Sequence, residues 1–341
     1  QLTRLEAGTG GGIVAGDIIV SLFMISFLIY KAIKSPKFPK TPINTSLFAV
    51  IVVLILTFVL AGLHYFSLTA GFYLLRLLVY LSLFWAFYDI LSDKKSFDFG
   101  TKMFEYFLYG LVILGFLQLT FFPSMLSLMA YGWDPHQNRM VSTFLDPNYL
   151  SAFLNIGFAY FLAKYYSSKK PIWENVWPVL LLGLSVALTV SRSGWMMLAV
   201  IVLIFAIFKD RRLLFVGALV ILIAFFFVPR FSQRITEGLN WQESAAMRLD
   251  NWKQGLQIID NNKYLGVGYN NLEEVKLAEG FLNQTNLQSH AAGGIDSSLM
   301  VIWSTTGIVG LVVFLYFLFK NIYFGFKEFF RKKAPLLSNM G

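Results

Sequence analysis

Two arginines stand where fixed cations could meet an anion. Arg192 lies in Thr189-Val190-Ser191-Arg192-Ser193-Gly194-Trp195, between two apolar stretches. Arg248 opens Arg248-Leu249-Asp250-Asn251-Trp252, which runs on to Leu265-Gly266-Val267-Gly268. A guanidinium grips phosphate oxygens with two parallel N–H bonds, which a lysine ammonium does not. Ser191 and Ser193 add hydroxyl donors beside Arg192, and Asp250, two residues from Arg248, does not face it on a helix. Arg76, about one turn inside the third apolar stretch, is a third candidate cation, because a charge at that depth must pair or snorkel. For proton transfer there are Asp296, which precedes Ser297 and Gly307-Ile308-Val309-Gly310, and His290, six residues earlier. Histidine has the better-matched pKa, whereas a carboxyl near about 3.9 needs raising or strict positioning. Each residue also has a plainer reading: Arg192 and Arg76 as snorkelling side chains, Arg248 as a solvated helix face, Asp296 as a helix N-cap.

The elements that must position these residues are apolar. The chain has 341 residues, 57% hydrophobic and 14% charged. Soluble domains carry about 25% charged residues, so this is an integral membrane protein. A net charge of +9 reads first as cytoplasmic Lys and Arg that set topology. With no cysteine, disulfides, thiol catalysis and zinc–thiolate sites are excluded. His64, His136 and His290 are too scattered for a dedicated metal site. Residues 1–12 are polar and Gly-rich, unlike a signal peptide, and the opening at Gln1 reads as a fragment lacking its beginning.

A membrane span needs roughly 20 apolar residues. About nine stretches qualify or nearly so: 13–33, 47–66, 72–91, 104–122, 149–165, 176–190, 195–208, 213–228 and 298–319. The sixth and seventh are separated by only a Ser-Arg-Ser-Gly turn and read as a tight helical hairpin with a polar tip. Lysines and arginines follow the first, third, fifth, seventh and ninth spans, so alternate loops are cytoplasmic and residues 1–12 lie outside. The expected fold class is all-α, a polytopic transmembrane helix bundle with a long extracytoplasmic loop. Its divisions are 1–228, a transmembrane region of eight spans; 229–296, an extracytoplasmic loop; and 297–341, a final span with a basic cytoplasmic tail. Within the loop, 242–262 carries Met247, Leu249, Trp252, Leu256, Ile258 and Ile259 at near-helical spacing, an amphipathic helix expected to pack on the outer membrane surface. Asp146-Pro147-Asn148 is a turn and cap signal. Gly266-Val267-Gly268 lacks the context of a nucleotide fingerprint and marks a turn.

In order, Thr143-Phe144-Leu145-Asp146-Pro147-Asn148, Ser191-Arg192-Ser193-Gly194-Trp195, Arg248 through Trp252 to Gly266-Val267-Gly268, and 296–310 resemble the O-antigen ligase and polymerase superfamily. Members of that family have about twelve spans, so nine with an outer N-terminus would fit one missing its first three. The resemblance implies a bacterial inner-membrane, inverting glycosyltransferase, without metal or cofactor, acting at the periplasmic face. Its donor would be a glycan on a polyprenyl diphosphate and its acceptor a hydroxyl of a lipid, another glycan or a protein. Membrane lipid would be a partner and nucleic acid would not. Arg192 and Arg248 match the family's diphosphate-binding arginines. The family's last motif opens with His, where this chain has Asp296. Either Asp296 is the base, or His290 reaches the site, or activity is altered. A multispan transporter of a lipid-linked or anionic glycan is the rival reading, expected to show discontinuous helices and polar groups at mid-membrane; a structural scaffold is the third.

Overall fold

The computed structural model describes residues 4–7, 11–34, 39–62, 67–131, 136–167, 172–215, 217–218, 226, 242–282 and 293–329. Ten α-helices are named from these residues: α1 (Ala15–Lys34), α2 (Asn44–Ala61), α3 (Leu68–Ile90), α4 (Lys94–Phe121), α5 (Pro147–Ser167), α6 (Ile172–Leu188), α7 (Arg192–Phe208), α8 (Gln242–Asn261), α9 (Leu272–Ala278) and α10 (Ser298–Phe329). The fold is helical as expected, apart from one antiparallel hairpin of β1 (Arg4–Ala7) with β2 (Gly11–Val14). By length and composition α1, α2, α3, α4 and α10 can each cross a membrane. Shorter apolar helices cover Val176–Leu188 and Arg192–Phe208. The expected span at 213–228 lies mostly outside the described residues, as do His290 and the basic tail after Phe329.

The long helices are apolar around most of their circumference, and residues such as Ile33, Leu22 and Phe72 remain exposed. Water would not tolerate so continuous an apolar surface, whereas hydrocarbon does. The chain forms two compact units. One joins Gln1–Phe97 to Glu243–Phe330, and the other is built on Asp98–Gln242.

In the first unit, ion pairs fix the direction of the helices. Arg76 of α3 pairs with Asp17 of α1, and at the opposite ends Lys31 Nζ lies 2.9 Å from Asp89 Oδ1. The helices α1 and α3 are therefore parallel. Helix α10 runs antiparallel to α2: Lys320 Nζ donates to Thr45 Oγ1 at 2.5 Å, while Gly268, whose amide donates to the Thr305 carbonyl in the first half of α10, lies against Phe58 and Ala61 at the other end of α2. In the second unit α5 is central, packed on α6 and α7 around Leu108, Leu150, Leu154, Leu182 and Val186. Glu105 and Lys164 pair at 2.5 Å, and Tyr160 donates to the same carboxylate. Asp89 and Glu105 are thus each matched by a lysine.

The sequence reading treats the last span as continuous, and here the structure differs. Helix α10 breaks at Gly307, whose φ of 66° and ψ of −174° lie outside helical space. This is about 14 Å along the helix from Ser298 at 1.5 Å per residue. Such a break strands backbone groups that cost several kcal/mol each in hydrocarbon if unpaired. The segment after α8 pairs them. Val267 and Gly268 amides donate to the Ser304 and Thr305 carbonyls at 2.9 Å, and the Ile308 amide donates to the Lys263 carbonyl at 2.9 Å. The approach leaves no room for side chains: a Cβ on Gly307 would sit 2.0 Å from the Tyr264 oxygen, and one on Gly266 would sit 2.4 Å from the Thr305 carbonyl carbon.

Gly307→Ala should therefore destabilise the protein by about 2–4 kcal/mol, combining a left-handed non-glycine with overpacking. Gly325→Ala, where a Cβ meets nothing within 4 Å, should be neutral or stabilising by about 0.5–1 kcal/mol. Thermal unfolding of both variants in detergent reads the difference.

Candidate functional site

The hairpin expected around Ser191–Gly194 is present: α6 and α7 are joined by Thr189–Ser191. Ser191 caps α7, its Oγ accepting from the Gly194 amide at 3.2 Å. The same hydroxyl donates to Asn148 Oδ1 at 2.7 Å, and Asn155 Nδ2 donates to the Gly194 carbonyl at 3.1 Å. Helix α5 thereby braces the tip through two asparagines. Asp146 keeps its plain role, accepting from the Asn148 and Tyr149 amides at 2.6 and 2.9 Å to cap α5. Val190 has a φ of 51°, which for a β-branched residue is strained by of order 1–3 kcal/mol. Arg192 begins α7 and is exposed, with no ion pair among the described residues.

A cation that the sequence reading missed reaches the same tip. Arg139 is half-buried, and its Nε donates to the Thr189 carbonyl at 2.9 Å. The strap carrying it is locked by the Met140 amide on the Leu188 carbonyl at 2.9 Å and by Gln118, whose amide donates to the Arg139 carbonyl at 3.3 Å. Nothing in the local sequence links Arg139 to a turn 50 residues later.

The other candidates cluster in the first unit. Arg248 is exposed near the start of α8, also without an ion pair among the described residues, since Asp250 pairs with Lys253 at 3.3 Å instead. One turn on, Asn251 Nδ2 donates to the Gly294 carbonyl at 3.1 Å, and its Oδ1 accepts from the Asp296 amide at 2.8 Å. Trp252 Nε1 donates to the Asp296 carbonyl at 3.4 Å. The motif that presents Arg248 thus also holds the backbone of Asp296. The helix-cap reading of Asp296 passes to its neighbour, because Ser297 Oγ accepts from the Met300 amide at 3.5 Å. The Asp296 carboxylate is exposed and makes no hydrogen bond among the described residues. Arg76 differs from the other two arginines, being ion-paired with Asp17 and stacked 4.9 Å from the Tyr73 ring centroid.

Lys276 completes the support. It is 0% exposed, and Nζ donates to the Gly294 carbonyl at 2.5 Å. Burial pushes its pKa down, opposed by the negative charge of Asp296. Close by, α2, α3 and α10 line a cavity of about 570 Å³, with Tyr269, Asn270 and Glu273 among its polar lining residues.

The depressed pKa has a testable sign. From the folded-state pKa up to 10.5, the unfolded chain holds the Lys276 proton more tightly, so stability rises with pH through that window. Lys276→Met should flatten this rise, as measured by thermal unfolding from pH 7 upwards.

No curated protein matches the chain in sequence. The family model described as O-Antigen ligase matches residues 177–315, from α6 through the α10 break. That segment holds Arg192, Arg248 and Asp296, and over it the chain is similar to the O-antigen ligase family that its polar signatures resemble.

Proposed function

We propose that the protein is a glycosyltransferase of the bacterial inner membrane that moves a glycan from a polyprenyl diphosphate to an acceptor hydroxyl at the extracytoplasmic face. The acceptor oxygen attacks the anomeric carbon opposite the diphosphate, with inversion. The carbon–oxygen bond to the diphosphate breaks, and its electron pair leaves on the diphosphate. Asp296 takes the hydroxyl proton, the role that His290 fills if it reaches the site. Arg192 and Arg248 offset the charge that grows on the leaving group, which requires no metal. The observation that carries this reading is a contrast among cations. Arg76 is matched by Asp17, whereas Arg192 and Arg248 are exposed and unmatched among the described residues. Arg139, held on the Thr189 carbonyl, adds positive charge at the hairpin tip.

The transporter reading gains one observation, the discontinuity of α10 at Gly307. Its freed groups are taken up by the protein's own 263–268 segment, and the acidic residues of the spans are ion-paired. Both features favour a rigid scaffold over a polar translocation path.

Reconstituted with a polyprenyl-diphosphate glycan and acceptors, Arg192→Ala and Arg248→Ala should each lower polyprenyl diphosphate release by about 10²–10³-fold with folding intact. Asp296→Asn should lower it too if Asp296 is the base. Normal release from both arginine variants sinks the diphosphate role, and movement of intact lipid-linked glycan between leaflets without release supports the transporter.

A further inference from the structure

The cavity of the first unit has two kinds of lining. Its wall on α10 runs from Val301, past the break at Gly307, to Phe317. The shaft is apolar, lined by residues such as Val53, Leu54, Leu77 and Phe314. The polar residues Tyr269, Asn270 and Glu273, with Gly293 and Gly294, form a collar to the lining. Gly293 lies against the Glu273 carboxylate, 3.2 Å from Oε2 to a Cβ built there. Asp296 follows two residues after Gly294, so the collar sits beside the candidate base.

Shape alone selects nothing here. Lipid tails are as apolar as the shaft, so burying a chain in it brings little net gain over leaving it in the bilayer. Selection falls to the collar. A phenol, an amide and a carboxylate donate to and accept from hydroxyls, while the carboxylate opposes a phosphate. In a polyprenyl-diphosphate donor the group next to the chain is the diphosphate, which would meet Glu273. A chain whose first polar group is a sugar meets no such repulsion.

We propose that this cavity binds the hydrocarbon chain of a neutral glycolipid, with its sugar hydroxyls at Glu273, Asn270 and Tyr269. Taken with the transferase reading, on which this part rests, the ligand is the acceptor, held by its lipid so that a hydroxyl lies near Asp296. The donor, with its diphosphate at the arginines, does not occupy the cavity.

The test uses the full chain in phosphatidylcholine liposomes with two photoreactive probes of equal chain length, an alkyl glucoside and an alkyl phosphate, both carrying a diazirine on the chain. Peptide mapping should place glucoside labelling on α2, α3 and α10, with the phosphate probe about 10-fold weaker. Glu273→Lys, at an exposed position, should reverse that preference, and Val53→Trp should abolish labelling of the shaft, each with its melting temperature checked. Equal labelling by both probes, or labelling indifferent to Glu273→Lys, shows bulk lipid filling the cavity and overturns the proposal. Preference of the native protein for the phosphate probe assigns the cavity to the donor and overturns it equally. Polyprenyl diphosphate release is read separately. Its absence, with glucoside labelling intact, removes the transferase reading and leaves the binding site standing.

Discussion

A helix broken inside an apolar environment leaves carbonyls and amides that only protein can satisfy. Gly307 breaks α10, and the segment from Lys263 to Gly268 answers the break with three backbone hydrogen bonds. Much of the first unit follows from that constraint. The segment must lie flat against α10, so glycine occupies the two positions of closest approach, Gly266 and Gly307. Helix α8 must end where that segment begins, which places Asn251 and Trp252 against Gly294–Asp296. Helix α9 then packs Val275 beside Ile258 and Val267, and Lys276 closes on the Gly294 carbonyl. The candidate base is held by its backbone, while its carboxylate stays exposed.

Charge is arranged by the same economy of unpaired groups. Within the apolar helices Asp17, Asp89 and Glu105 each meet a cation from another helix, which ties helices together and neutralises those carboxylates. The exposed arginines at the hairpin tip and on α8 have no such partner among the described residues. Arg192 stands at the first position of a helix, where the peptide dipoles disfavour a cation, a cost that a bound anion would offset.

Much of this was legible in the sequence, because hydrophobic length is a one-dimensional property. The first seven expected apolar stretches coincide with α1 to α7 to within a few residues at most ends, apart from an earlier start to α4 and an earlier C-terminal end in α2. The amphipathic reading of 242–262 matches α8, which turns Ile258 inward and leaves Leu249, Trp252 and Leu256 exposed. Pairings distant in sequence were not legible. Gly266-Val267-Gly268 reads as a turn because nothing nearby shows that its partner is a helix break 40 residues on. Asp17, at the start of α1, carries no sign that it will pair with Arg76, and Arg139 none that it will meet Thr189. The break itself was hidden by composition, since a glycine pair in an apolar run is common in continuous membrane helices.

The chain contains no cysteine, so single thiols can be introduced on a clean background. The most direct measurement places one at Ser193, beside Arg192, and one at Asp250, beside Arg248. Each is then labelled in oriented vesicles with a membrane-impermeant maleimide, with and without polyprenyl diphosphate. The account predicts that both are labelled from the extracytoplasmic side and that polyprenyl diphosphate protects both. Labelling of either from the cytoplasmic side alone, or labelling of both that ignores polyprenyl diphosphate, would contradict it.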